Sequence, residues 1–355
     1  MTAQAYGLIL EVDHLLRTYM PTLENDRLTG ICRPGSQDFD RVIDAFNERL
    51  FNIPYPTEAS ALFAPIDYTI ESGGKRLRPT LLLRMAMACG ADAMDAIDSA
   101  IGIELFHNFT LLHDDIMDNA DVRRGRPSVH RRWNDNVAIL SGDAMLTIAS
   151  GYMNSMPGDT GRCIFELFTK TALEIYQGQQ LDMEFEDRDD VSVDEYIRMI
   201  RLKTSVLLGC ACRIGAMLGK ASDYACKAAY DFGDNLGLAF QLRDDLLDTF
   251  GDPVLFGKQI GGDILNKKKT WLLISALEQG NREDICSALD AKTDDTEKIE
   301  SVKSIYRSLD LDVKCQQLVD TYAQRAISAL DRMALGNVHS DYFRSLATDL
   351  SQRQA

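Results

Sequence analysis

Residues 38–51 read DFDRVIDAFNERLF, and their apolar positions recur at the three-and-four spacing of one helix face. The segment AISALDRMAL (326–335) repeats that spacing near the other end of the chain. Between them no Asn-Gly or Asp-Gly hairpin signal occurs, and sustained period-two alternation is missing. Six of the nine prolines fall in the first 79 residues, and after Pro127 only Pro157 and Pro253 remain. The long stretches between them are built of helix formers. The pattern predicts about ten to twelve helices with short connections. It reads as an all-α fold in one domain over residues 1–355.

With 355 residues and 45% hydrophobic composition, the chain is ample for a large core. Its net charge is −16, from 38 basic and 54 acidic residues. A nucleic-acid binder leans the other way, because phosphate contacts come from Lys and Arg. The basic residues are bunched instead, at 123–132 (RRGRPSVHRR) and 267–269 (KKK). The eight cysteines include no CxxC pair and no zinc spacing, so they read as reduced, packed thiols suited to the cytoplasm. MTAQAYGLILEVDHLL lacks a basic start and carries Glu11 and Asp13, which argues against a signal peptide. No run of about 18 apolar residues is present, so no transmembrane segment is expected.

Two stretches echo each other. FTLLHDDIMDNADVRRGRP (109–127) and FQLRDDLLDTFGDP (240–253) each run from apolar residues through DDxxD to Gly and Pro. On a helix, positions i and i+4 differ by about 40° and lie about 6 Å apart along the axis. Asp114 and Asp118 therefore share a face, with Asp115 to the side, and Asp244, Asp248 and Asp245 repeat the arrangement. Like charges so spaced destabilise an isolated helix. One such motif reads as a solvated acidic helix end; two, each preceded by a core-like apolar run, read as ligands delivered into one cleft. Oxygen-only donor sets suit Mg²⁺, a hard cation that completes its shell with water and phosphate. Magnesium in turn implies a phosphorylated ligand, and cations follow each motif: Arg123 and Arg124 after the first, Lys258 and Lys268 after the second. Upstream, SGGKRLRP (72–79) adds Lys75, Arg76 and Arg78, although GxxxxGK[ST] is absent.

The segments GGKRLRP (73–79), HNFTLLHDDIMDNADVRRGRPSVH (107–130), LKTSVLLG (202–209) and FQLRDDLLDTFGDPVLFGKQIGGDI (240–264), in that order, resemble the trans-isoprenyl diphosphate synthases. The motif-bearing core covers roughly residues 50–275, with about 1–35 as an N-terminal helical extension. The resemblance implies a single-domain isoprenoid synthase bundle around a deep central cavity, with the two motifs on opposite walls. It implies that Asp114, Asp118 and Asp244 hold three Mg²⁺ ions, with Asp115, Asp245 and Asp248 completing the motifs. The metals grip the diphosphate of dimethylallyl, geranyl or farnesyl diphosphate and assist ionisation of its C–O bond. Arg123, Lys203 and Lys258 match residues that contact that diphosphate. Lys75, Arg78, His107 and Arg124 match a metal-free site for isopentenyl diphosphate, and Thr204 and Gln241 match residues lining the cation site. Among the three lysines of NKKKTW (266–271), Lys268 is favoured for diphosphate contact.

The growing chain in such enzymes runs back along the helix that carries Asp114. Phe109 lies five residues earlier, about 7.5 Å along the axis, where a ring acts as a floor. Thr110 beside it is small. The expected product is C15–C20, leaning to C20, and a homodimer is expected. Two readings compete. An HD-type metal phosphohydrolase would use His113–Asp114, yet the chain holds five histidines and DDLLD is left without a role. A catalytically silent subunit of a heteromeric prenyl synthase usually loses part of one motif, and both are complete here.

Overall fold

A computed structural model describes residues 36–251 and 260–352, and within them the chain is helical almost throughout. The one exception is a hairpin of two residues per strand, Val122–Arg123 against Arg126–Pro127. Its turn residues Arg124 and Gly125 both lie in the left-handed region, at φ 52° and 75°. That is the turn geometry Asn-Gly usually supplies, here formed by Arg-Gly. The all-α reading stands. Lys258 falls outside the described residues, as does the segment about 1–35.

The chain divides into two compact units, residues 1–165 and 166–355. In the first, α1 (Ser36–Phe51), α2 (Ala64–Glu71) and α3 (Leu77–Ala88) precede α4 (Ile97–Met117). After the hairpin come the single turn α5 (Val129–Arg132) and α6 (Asp135–Met153), and α7 (Gly158–Glu186) crosses from the first unit's residues into the second's. Helix α4 is buried from Ile97 to Phe109 on nearly every side, the mark of a central helix. It lies closely along α6: a Cβ on Gly102 would meet Met153 Sδ at 2.6 Å.

The second unit continues with α8 (Val193–Ile200), α9 (Val206–Leu218) and α10 (Asp223–Phe250). Short helices follow: α11 (Gly262–Leu265), α12 (Trp271–Gln279), α13 (Arg282–Asp290) and α14 (Asp295–Ser308). Then come α15 (Leu311–Asp331) and α16 (Asn337–Gln352). Here α10 is central, packed by α9 and α15. One-turn pieces such as α5 and α11 raise the helix count above the ten to twelve expected, because periodicity cannot register a single turn. Likewise α15 stops at Asp331 rather than running on through 335, and Ala334 turns to φ 52°. Among the described residues no helix is long and apolar enough to cross a membrane.

In each unit a largely buried helix carries a DDxxD motif near its C-terminal end, α4 in the first and α10 in the second. That is the end where the helix dipole is negative, so both triplets are badly placed without cations nearby.

Candidate active site

In the first unit the backbone of 73–76 is wound tightly, with Gly73, Gly74 and Arg76 all at positive φ. Gly74 is needed for a second reason: a Cβ there would stand 2.9 Å from Cζ of Arg124, whose guanidinium lies over it and donates to Gly73 O. Arg76, at the N-cap of α3, pairs with Glu104, which is almost fully buried on α4, and donates to Ile70 O at 2.7 Å. Asn108 Nδ2 also donates to Glu104 Oε1, at 2.9 Å.

Arg78, in the first turn of α3, faces His107 on α4, with Nη1 3.1 Å from Nε2. A guanidinium only donates, so His107 accepts there and is neutral. Burial, and then the charges of Arg78, Arg124, Arg123 and Arg76, hold its pKa well below the usual imidazole value. Arg78 itself is pulled down to about 10, first by burial, and its Nε is buried with no hydrogen-bond partner. The predicted residues Arg78, His107, Arg123 and Arg124 are therefore gathered in one cluster, with Lys75 exposed on the turn beside it. Four guanidinium groups here meet two buried carboxylates, Glu104 and Asp115. The cluster therefore carries an excess of positive charge, which an anion would offset.

Asp115 is buried and bound by the Arg123 fork, with Nε at 2.8 Å. Asp114 is half-buried, and Asp118, the C-cap residue of α4, is exposed. Phe109, 6% exposed, packs against Phe106 and meets the His113 ring edge-on at 4.7 Å. Thr110 spends its hydroxyl on His107 O at 2.8 Å. His113 turns Nε2 to Ile139 O at 3.2 Å and occupies the space that a Cβ on Gly142 would need. It is wedged into packing, which removes the basis of the HD-type reading.

In the second unit Asp245 is buried and accepts from the Tyr196 hydroxyl and from Gln241 Nε2 at 3.1 Å. Burial above all, and then the charge of Asp263, pushes its pKa up to about 7, against the pull of Tyr196, Lys268 and Gln241. Asp244 and Asp248 are half-buried, and Asp248 Oδ2 accepts from the Asp263 N–H at 2.9 Å. Of the three lysines, Lys267 is paired with Asp290 and Lys269 with Asp189, while Lys268 acts on Asp245.

Between α8 and α9 the helix widens into a π turn over Arg201–Ser205, which carries both Lys203 and Thr204. Such turns recur at functional sites. Lys203 Nζ binds Asp182 on α7 at 2.5 Å, and Thr204 Oγ1 donates to Gln241 Oε1 at 3.4 Å. Gly178, one turn before Asp182, lets α7 touch this backbone: a Cβ would meet Lys203 N at 2.3 Å. Gln179 beside it keeps both amide atoms buried without a hydrogen-bond partner. Sequence reasoning missed Asp182, Gln179 and Tyr196. A glycine inside YQGQQLD (176–182), in an otherwise helical run, was the one available signal for the first two.

Among the described residues no three His, Cys, Asp or Glu side chains are gathered tightly enough to hold a metal alone. The accessible outer aspartates are oxygen donors all the same, and Mg²⁺ is held by one or two carboxylates together with water and phosphate. The donor set fits that ion.

Guanidinium groups crowded beside a neutral histidine in the first unit, and an aspartate triplet beside a π turn in the second, are features of a helical enzyme. Residues 59–309 match the polyprenyl synthetase family. The geranylgeranyl diphosphate synthase of Saccharolobus solfataricus is 36% identical over 84% of this chain and 92% of its own. The geranylfarnesyl diphosphate synthase of Natronomonas pharaonis is 38% identical over 62% of this chain and 70% of its own. A crystal structure of a geranylgeranyl pyrophosphate synthase, 40% identical, superposes with a TM-score of 0.83 over 89% of this chain and 99% of its own. The chain belongs to the polyprenyl synthetase family, and it is a prenyltransferase.

Proposed function

We propose that this prenyltransferase condenses isopentenyl diphosphate with an allylic diphosphate (dimethylallyl, geranyl or farnesyl) to a C15–C20 product, C20 favoured. The observation that carries the reading is Arg78, held against neutral His107 with an unpartnered buried Nε and a depressed pKa. An incoming diphosphate relieves all three at once, through the charge-assisted contacts guanidinium groups form best. Lys75, Arg78, His107 and Arg124 bind isopentenyl diphosphate. Asp114, Asp118, Asp244 and Asp248 would hold Mg²⁺, which when bound would supply Lewis acidity toward the allylic diphosphate, and Arg123, Lys203, Lys258 and Lys268 stabilise the charge that grows on that leaving group. Thr204 and Gln241 line the site of the allylic cation. Asp115 and Asp245 serve as braces, since Oδ1 of Asp115 and both carboxylate oxygens of Asp245 are engaged within the protein. Phe109 is the floor of the chain, and the C20 lean draws support from the geranylgeranyl relatives. Both units work as one domain, which accords with a family match running across residue 165. Exposed Leu173, Tyr176 and Met183 on α7, and Ile139 and Leu140 on α6, support a homodimer. The free thiols of the described cysteines support the cytoplasm.

The test is incubation of the chain alone with isopentenyl diphosphate, each allylic starter and Mg²⁺, with product length read by chromatography. A C20 or C15 product is expected and a chelator abolishes it; no condensation with any starter overturns the reading and favours a silent subunit. Asp114→Ala and Asp244→Ala should each lower turnover by about three orders of magnitude or more with helical content unchanged. Near-wild-type turnover at saturating Mg²⁺ removes the metal assignment. Phe109→Ala should lengthen the product, and an unchanged distribution from a folded variant removes the floor.

A further inference from the structure

Tyr196 lies outside every motif discussed so far, yet its hydroxyl reaches the middle aspartate of the second one, 49 residues on. The surroundings hold it still. Its ring is 2% exposed, and α8 starts with a full capping box in which Ser192 and Glu195 satisfy each other's backbone N–H groups. Arg188 then clamps Glu195 at 2.9 Å. A rigid phenol thus fixes one oxygen of Asp245, and the other accepts from Gln241 Nε2 at 3.1 Å.

The chemistry of these groups gives the chain a direction. Both oxygens of Asp245 accept, Oδ2 from Tyr196 and Oδ1 from Gln241, so Gln241 is oriented with its NH₂ facing Asp245. The carbonyl Oε1 must then face away, and there it accepts from the Thr204 hydroxyl at 3.4 Å. Thr204, having given up its proton to that bond, presents only lone pairs elsewhere. It stands on the π turn, whose neighbour Lys203 is pinned separately by Asp182. Hydrogen bonds linked head to tail polarise one another, so the far end is electron-rich.

We propose that Tyr196 is a positioning residue, which through Asp245 and Gln241 sets the hydroxyl of Thr204 with its lone pairs toward the developing allylic cation. The proposal rests on the reaction proposed above. Oriented dipoles act most where charge appears in the transition state, so the relay contributes to kcat rather than to substrate affinity.

The experiment is Tyr196→Phe in the full chain, assayed with isopentenyl diphosphate and geranyl diphosphate under Mg²⁺. Losing the hydrogen bond that fixes Asp245 should lower kcat about tenfold while both KM values stay within about twofold. In a Thr204→Val background the same change should lower kcat by less than about twofold, because the end of the relay is already gone. Unchanged kcat in Tyr196→Phe overturns the proposal, and so does a tenfold loss that persists with Thr204→Val. A loss confined to thermal stability also overturns it. Should Tyr196→Phe not fold, Gln241→Leu cuts the chain one link later and must itself lower kcat with less than about twofold further loss on Thr204→Val. Full kcat, or additivity, overturns the relay. A wild-type chain that condenses nothing sinks the reaction itself, whereas wild-type turnover with a fully active Tyr196→Phe sinks the relay alone.

Discussion

The first acidic motif finishes its helix, with Asp118 as the C-cap of α4, whereas the second lies inside α10, which continues to Phe250. Their outer aspartates are alike in being reachable by solvent. Their middle aspartates are both buried at 4% exposure, and there the likeness ends. Asp115 is held by a guanidinium from the following hairpin, eight residues away. Asp245 is held by a phenol and an amide, both neutral, with the carboxylate of Asp263 acting on it as well. Identical spelling therefore covers two solutions to burying a carboxylate, one by charge and one by hydrogen bonds. The first keeps its motif tied to the anion-binding hairpin. The second links its motif to the turn carrying Lys203 and Thr204.

The largest expected effect tests whether the outer positions are truly alike. Asp118→Ala and Asp248→Ala should each lower Mg²⁺-dependent turnover by about a hundredfold or more. Only Asp248→Ala should also lower stability, by about 1 kcal/mol, because the Asp263 N–H loses an acceptor. Urea denaturation reads the difference, and equal stability losses would erase that half of the comparison.

A smaller effect separates the middle positions by sign. Asp115→Asn leaves Arg123 without its carboxylate and should cost about 1–2 kcal/mol, a value reduced by the partial exposure of that arginine. Asp245→Asn removes a desolvated charge acted on by Asp263 and should be neutral or stabilising at pH 8. If both destabilise equally, the two motifs are buried in the same way after all.

The smallest effect is on pH and belongs to the first unit. His107 is neutral in the folded chain, with a pKa far below its ordinary 6.5. Below that ordinary value the unfolded chain takes up a proton that the folded chain does not, so stability falls as pH drops through about 6.5. His107→Phe should flatten this slope while leaving stability at pH 8 little changed. Denaturation midpoints at pH 5 and 8 decide it, and an unaltered slope would place the acid sensitivity elsewhere.

Much of this was open to reading in the residues. Helical spacing announced the all-α fold, and DDxxD placed twice announced the carboxylates. The grouping of Arg78 with His107 and of Arg124 with the glycine turn came from matching several motifs in order, since 29 residues separate the first pair and 51 the second. What stayed hidden were partners joined only by folding. Nothing about YIRMI suggests that Tyr196 meets Asp245, and nothing in TALEIYQGQQLD assigns Asp182 to Lys203. The π turn was equally invisible, because its residues are ordinary helix formers and only the count per turn differs.

That count has a genetic consequence. The widened turn at 201–205 amounts to one residue inserted into what would otherwise be a single helix from Val193 to Leu218. Losing one codon there would restore regular winding and remove no functional side chain if Leu202 were the residue dropped. The flanks would keep their facing, because the widened turn already absorbs the roughly 100° that one extra residue adds to a helix. Tyr196, Met199 and Ile200 before it, and Val206 to Leu218 after it, would stay in their buried seats, while the widened backbone that presents Lys203 and Thr204 would be lost. In-frame deletion at this point should therefore cost activity far more than it costs stability. At this turn the reading frame of the helix is itself a functional element.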